Sequence, residues 1–343
     1  MERQAGVKDT AVSGRQLLAG DVGATKTVLA LFPKGSELDK PSREATYANR
    51  DYDGFESIVD SFLSGGDGPI ERACLAVAGP VTGTRVRLTN LPWEIDAQQI
   101  CARFVLERVV LINDLEGIAR SIPHLSPLDL LTLHSGERDP HGPIAVIAPG
   151  TGLGEAYLTW NGERYEAHSS EGGHVDFAPV DDLQSELLAY LREEFGHVSV
   201  ERVGSGSGIQ NVYRFLRDRR GMKEPSELGA ELDSAEDPTP VIVSAAVDSK
   251  YDLCVETLRT FVSILGAEAG NLALKLLATG GIYLGGGLPP RILPFLQDER
   301  FLEVIRAKGR YEHLLERIPV HVILNPRAAL LGAAQRGLQD PTP

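Results

Sequence analysis

Cysteine is scarce: Cys74, Cys101 and Cys254 are the only three in the chain. Odd in number, far apart and set in apolar surroundings, they exclude a disulfide framework and read as reduced core residues, which suits a cytoplasmic protein. No C-x-x-C or C-x-C cluster occurs, so a structural zinc site lacks its usual ligands. Clustered Lys and Arg are missing too, and the formal net charge of -14 argues against a nucleic-acid or anionic-membrane surface. No apolar run is long and clean enough to span a membrane: Leu253 to Ala278 is interrupted by Glu256, Arg259, Glu268 and Lys275 and reads as a buried helix. The first sixteen residues have no secretory apolar run and read as a disordered extension over 1–16. Two familiar phosphate signatures, G-x-x-x-x-G-K-[ST] and G-x-G-x-x-G, are also missing, which disfavours P-loop and Rossmann assignments.

What is present is a pair of glycine-rich turns, each entered from an apolar strand. Leu18-Ala19-Gly20-Asp21-Val22-Gly23-Ala24-Thr25-Lys26-Thr27 is one, and Val146-Ile147-Ala148-Pro149-Gly150-Thr151-Gly152-Leu153-Gly154 is the other. Backbone N–H groups reach phosphate oxygens best where no Cβ intervenes, so two such turns can grip one polyphosphate and suggest a duplicated nucleotide-binding fold. Ordinary hairpins would also use glycine there. A third close backbone approach is suggested by Gly280-Gly281-Ile282-Tyr283-Leu284-Gly285-Gly286-Gly287, with a helix beginning at Pro289-Pro290.

With 343 residues, 42% of them apolar and 24% charged, the chain has material for two cores. Strands at 28–32, 73–78 and 108–112 alternate with helical pattern, as in an α/β layer structure. Pro123 and Pro127 break a helix starting near Leu115, and 135–142 reads as a linker region, so the domain change is placed near residue 125. The expected division is a smaller domain over 17–124 and a larger one over 125–324. Asp181-Asp182 caps a helix with Leu183, Leu187, Leu191 and Phe195 on one face, closed by Gly196, and Arg217 to Thr239 reads as a loop-rich surface insertion.

Three segments concentrate chemistry. Arg108 to Ile112 delivers Asn113-Asp114 at a strand's C-terminal end, where open α/β sheets hold ligands and a carboxylate can serve as a general base; a capping box of Asn113 and Glu116 fits the same spacing. Glu171-Gly172-Gly173-His174-Val175-Asp176-Phe177 packs acids and an imidazole around two glycines, a density of polar groups that suits a site loop. No second histidine stands at ligand spacing there, so His174 reads as a hydrogen-bonding residue more than a metal ligand. Glu201, in His197-Val198-Ser199-Val200-Glu201-Arg202, fits either a site or an acidic first turn.

These segments, with Thr89-Asn90-x-x-Trp93 and Gly280-Gly281 with Gly286, stand in the order and spacing of the bacterial ATP-dependent glucokinase family, which the chain resembles from about Leu17 to Gln335. The resemblance implies a two-domain, actin-like (ribonuclease H-like) α/β fold with the active site in the interdomain cleft and a C-terminal helix, 325–337, returning to the first domain. It implies ATP-dependent phosphorylation of glucose, with Asp114 as catalytic base and Asn90, Asn113, Asp114, Glu171, His174 and Glu201 on the sugar. ATP would meet Asp21, Gly23, Ala24, Thr25, Gly150, Thr151, Gly152, Gly285 and Gly286. Mg2+ would be held by ATP and water, with Asp21 reaching it through water and no direct protein ligand. A homodimer without nucleic-acid or membrane partners is implied as well. Open alternatives are another hexose, another phosphoryl donor, or a non-catalytic sugar-binding regulatory protein. The chain departs from the family pattern at Ala24 and Lys26, and at Glu155, where a small apolar residue is common.

Overall fold

A computed structural model describes residues 16–339 apart from 39, 67, 89 and 90. The expected extension before Gln16 and the site residue Asn90 lie outside the described residues. Contacts divide the chain into two units, one ending at Gly117 and resuming at Ala329, the other covering Ile118–Ala328.

In the first unit, β1 (Gln16–Val22), β2 (Lys26–Pro33), β3 (Arg43–Ala48), β4 (Ile70–Val77) and β8 (Arg108–Asn113) form one sheet in the order β3-β2-β1-β4-β8. A separate small antiparallel sheet joins β5 (Val81–Thr82), β6 (Arg85–Arg87) and β7 (Glu94–Asp96). Strands β1 to β3 make an antiparallel meander, while β4 and β8 run parallel to β1. Leu17 to Ala19 and Cys74 to Val77 are buried on both faces, which is why these strands read as continuous apolar runs without alternation. Helices α1 (Phe55–Leu63), α2 (Ala97–Phe104) and α3 (Asp114–Ser121) follow their strands. Asp96 caps α2 by accepting from the Gln98 N–H at 2.8 Å. The last helix, residues 328–338, packs on this unit at glycines: a Cβ on Gly332 would lie 1.8 Å from the Gly117 carbonyl oxygen, and one on Gly337 would meet Leu17 and Cys74.

The second unit repeats the plan. Its sheet contains β9 (Leu130–His134), β10 (Ile144–Pro149), β11 (Leu153–Trp160), β12 (Tyr165–Ser170), β13 (Gly281–Leu284) and β14 (Val320–Ile323), ordered β12-β11-β10-β13-β14-β9. Again an antiparallel meander, β10 to β12, is followed by two parallel additions, β13 and β14. Antiparallel β9 extends the far edge.

Helices α4 (Asp182–Phe195), α5 (Glu201–Gly204), α6 (Gly206–Asp218), α7 (Ser226–Ser234), α8 (Thr239–Val247), α9 (Asp252–Leu276), α10 (Leu293–Leu296), α11 (Glu299–Arg306) and α12 (Glu312–Leu315) complete this unit, and the terminal helix is α13. The core centres on α9, which buries Leu258, Phe261 and Leu265, and whose Gly266 and Gly270 admit the backbone of α11 at Phe301 and Ile305. Leu187 and Leu191 of α4 are fully buried, each stabilising by roughly 2 kcal/mol, while Leu183 and Phe195 flank them half-covered.

Two sequence expectations need correction. The stretch 217–239 contains α7, pinned by fully buried Leu228 and by the Tyr213 hydroxyl, which donates to Glu224 at 2.7 Å. Its charges concealed a single apolar anchor. Pro289-Pro290 opens only a three-residue 3-10 turn, because Pro294 lacks the N–H that a continuing helix would bond to the Pro290 carbonyl. Among the described residues no helix is long and apolar enough to cross a membrane.

Candidate active site

The first glycine turn joins β1 to β2. The Gly23 N–H closes it on the Lys26 carbonyl at 3.0 Å, and a Cβ on Gly23 would press on that same oxygen at 3.2 Å. Behind the turn sits Asn49, 1% exposed, a residue for which sequence reasoning had no signal. Its Nδ2 donates to the Gly23 carbonyl at 2.9 Å and its Oδ1 accepts from the Thr27 hydroxyl at 2.8 Å, while its N–H donates to the Thr25 carbonyl at 2.9 Å. All three bonds brace the turn, leaving Ala24 partly accessible and Thr25 exposed to solvent.

Asp21 lies one residue before the end of β1, and Asp114 follows β8 as the first residue of α3. Loss of water by burial, then the charge of Asp114, pushes the Asp21 carboxyl up to about 6, with Lys26 pulling the other way. Burial also raises Asp114, opposed by hydrogen bonds from the Leu115 and Asp114 N–H groups and from Asn113. Asn113 Oδ1 accepts from the Leu115 N–H at 3.0 Å, and its Nδ2 donates to the Gly79 carbonyl at 3.2 Å. Asn113 therefore serves as the local helix cap that the sequence allowed and at the same time fixes the base of Asp114.

The second turn, Gly150-Thr151-Gly152, joins β10 to β11, with the Gly150 N–H on the Gly152 carbonyl at 2.8 Å. Gly206, opening α6, donates its N–H to the Gly150 carbonyl at 2.7 Å, and a Cβ there would approach that oxygen to 2.9 Å. The third glycine cluster joins the same place: the Gly285 N–H donates to the Ile147 carbonyl at 2.9 Å, and Gly286, at φ 83°, lies against the Pro149 carbonyl.

Glu171, His174 and Glu201 come together in this unit. His174 stands between the two acids, Nε2 at 3.9 Å from Glu171 and Nδ1 at 3.9 Å from Glu201. Glu201 faces both ways, because its Oε2 accepts from the Leu153 N–H at 3.0 Å at the end of the second glycine turn. One carboxylate thus links the glycine turn to the imidazole. Ser205, fully buried, holds the Glu201 carbonyl at 2.7 Å and caps α6 through the Gly208 N–H at 3.1 Å. The site loop itself is pressed onto β11, where a Cβ on Gly173 would lie 2.1 Å from the Leu153 carbonyl. Asp176 turns elsewhere and pairs with His197 at 2.9 Å.

Duplicated meander-plus-parallel sheets, with glycine turns at the first hairpin of each, define an α/β protein of the actin-like class. The glucokinase family model matches residues 18–339. The glucokinase of Trichormus variabilis is 42% identical over 334 residues, covering 93% of this chain and 97% of its own. Among solved structures, a glucokinase from an Antarctic psychrotroph superposes with a TM-score of 0.81 at 32% identity, covering 94% of this chain and 98% of that one. A ROK family glucokinase from Streptomyces griseus, solved with glucose and AMPPNP, shares the fold at a TM-score of 0.61 and 21% identity, over 95% of this chain and all (100%) of that one. The chain belongs to the glucokinase family.

Proposed function

We propose that the protein transfers the γ-phosphoryl group of ATP to the 6-hydroxyl of glucose. A sugar presents a ring of hydroxyls, and a selective pocket answers with fixed donors and acceptors, because a buried polar group left unpaired penalises analogues lacking a hydroxyl. Glu171, His174, Glu201 and Asn113 supply that mixture, with Asn90 proposed beside them. The observation that carries the reading is the position of Glu201, bonded to the glycine turn and adjoining His174.

Asp114 is the proposed general base. Its carboxylate takes the proton of the 6-hydroxyl as that oxygen attacks phosphorus, the bond to the ADP oxygen breaks, and the electron pair leaves with ADP. A raised affinity for protons makes Asp114 a better base than an ordinary aspartate. Gly23, Ala24 and Thr25, with Gly150, Thr151, Gly152, Gly285 and Gly286, offer backbone to the phosphates. Mg2+ enters as the MgATP complex and neutralises phosphate charge, with Asp21 facing it through water. The Streptomyces griseus complex with glucose and AMPPNP supports this pairing of ligands. The family resemblance supports a cytoplasmic homodimer, and a net charge of -14 argues against nucleic-acid or anionic-membrane partners.

A coupled assay with ATP against glucose, mannose, fructose and glucosamine tests the proposal. Turnover should be highest with glucose. Absence of turnover on every sugar overturns the kinase reading, and preference for another hexose overturns the substrate.

A further inference from the structure

Glu155 is the residue that the reaction leaves unexplained. It stands in β11, in register with Ile147 on one side and Ser170 on the other, and is 1% exposed. Its carboxyl lies directly beneath the site loop: a Cβ on Gly172 would be 1.9 Å from Oε2, so only glycine permits the contact. Oε1 is buried with no hydrogen-bond partner. The loop is held from the same strand pair, since the Gly172 N–H donates to the Ser170 hydroxyl at 3.0 Å.

The charged groups acting on this carboxyl, Glu268 and Lys275, come from α9, and Lys308, two residues beyond α11, acts on Glu268. Glu268, 4% exposed, accepts from Asn271 Nδ2 at 3.0 Å and from Lys275 Nζ at 3.4 Å. Lys308 Nζ is turned to the Ala267 carbonyl at 3.0 Å and to Asn271 Oδ1 at 2.7 Å. Each cation is thus bonded to acceptors other than Glu155. An ionised Glu155 in this arrangement would be a buried charge without a donor, beside a second carboxylate, whereas a neutral carboxylic acid fits it at far lower cost. Burial, then the Glu268 charge, pushes Glu155 up to about 7, with Lys275 offsetting part of the effect.

We propose that Glu155 is a positioning residue for the sugar loop: as the neutral acid it underlies Gly172 and keeps Glu171 and His174 in their binding arrangement, so that loss of its proton weakens glucose binding. The inference rests on the assignment of Glu171, His174 and Glu201 to the sugar. The sign follows from linkage. The loop arrangement that binds glucose retains the proton, so affinity is full below the transition and falls as pH rises through it.

The test is calorimetric titration of glucose into the whole protein from about pH 6 to about pH 8. A single linked proton with its transition near neutrality lowers affinity about tenfold across that range. Glu155→Gln, which stays neutral at every pH, should abolish that loss. Glu268→Gln removes the neighbouring charge and should move the transition to lower pH, an effect that titration of His174 would not produce. Should Glu155→Gln fail to fold, glucose binding to the unmodified protein in two buffers of different ionisation enthalpy should show proton uptake above neutral pH. Affinity independent of pH, absence of proton uptake, or an unchanged pH profile in Glu155→Gln overturns the role of Glu155 while leaving the kinase reading intact. No glucose binding at any pH overturns the sugar assignment itself.

Discussion

Replacing Asp114 with asparagine separates a catalytic carboxylate from one that only starts a helix, because only the first predicts a large loss of turnover. As the base, Asp114→Asn keeps the shape and much of the local hydrogen bonding around the Leu115 N–H but cannot take the 6-hydroxyl proton. Turnover at saturating glucose and ATP should fall by about 10²- to 10⁴-fold, equivalent to roughly 3–5 kcal/mol of transition-state stabilisation. Glucose affinity should change far less.

Stability supplies the second observable. Asp21 is raised from 3.8 to about 6 in the fold, first by burial and then by the Asp114 charge. A carboxyl whose folded value is raised keeps its proton longer in the folded state, so it opposes folding increasingly as pH rises from 3.8 through about 6 and fully above that. The whole displacement corresponds to about 3 kcal/mol at most. Asp21 keeps some access to solvent and burial is the larger cause, so the share removed with the Asp114 charge is about 1 kcal/mol or less. At neutral pH the variant should therefore be as stable as the parent or slightly more so. A residue serving only the helix dipole would instead lose about 0.3–1 kcal/mol on the same substitution. Turnover, glucose calorimetry and thermal melting on one preparation decide the matter, and carboxyl NMR should find Asp21 titrating at lower pH in the variant. Near-normal turnover with a lowered melting temperature refutes the reasoning and removes Asp114 from the mechanism.

Asn49→Ala strands the Gly23 carbonyl and the Thr27 hydroxyl behind the first turn, so a stability loss of about 1–3 kcal/mol with a raised KM for ATP is expected from denaturant melts and initial rates; an unchanged KM for ATP would show that the turn needs no brace. Gly173→Ala drives a methyl into the Leu153 carbonyl, and at least a tenfold weaker glucose affinity is expected by calorimetry, about 1.4 kcal/mol. Glu201→Ala removes the acceptor of the Leu153 N–H and should raise KM for both glucose and ATP, where a residue confined to the sugar would affect glucose alone. Glu155→Gln should be more stable than the parent above neutral pH, by on the order of 1–3 kcal/mol, and nearly equal to it near pH 5, because the raised folded value makes Glu155 oppose folding only as pH climbs from 4.5 through about 7.

Much of the scaffold is legible in the sequence because periodicity and glycine placement are local signals. The strand entering Gly23, the helix capped by Asp181 and closed by Gly196, and the long apolar helix through Phe261 are all readable from spacing, and each occurs within a few residues of its expected place. The assembly of Glu171, His174 and Glu201 is not readable from spacing, since it depends on α5 returning Glu201 to the start of β11. Only the family resemblance brought those residues together beforehand. Asn49 escaped notice because a lone asparagine between a strand and a 3-10 turn looks like any loop residue, and its meaning lies entirely in partners more than twenty positions away. Glu155 was visible as a departure from the family pattern, yet its burial beside Glu268 could not be inferred from sequence, where the two are 113 positions apart (268 − 155).

The two sheets share one plan, yet their glycine turns are furnished differently. In each, the first hairpin ends in a glycine turn, and a neighbouring strand runs parallel to the first hairpin strand. The first unit places carboxylates there, Asp21 before the turn and Asp114 after β8, and the Asp114 charge raises the affinity of Asp21 for protons. The second unit leaves its turn without a carboxylate of its own and borrows one, Glu201, from a short helix, so that the same oxygen pair that orders the turn also faces His174. One turn is thus flanked by carboxylates, while the other is a backbone cradle tied to Glu201. Exchange of the turn sequences, Gly23-Ala24-Thr25 for Gly150-Thr151-Gly152, should therefore abolish turnover even if both hairpins fold, because the first turn is braced by Asn49 and the second by Glu201. A folded exchange variant with substantial activity would show that the braces are interchangeable and that the asymmetry lies elsewhere.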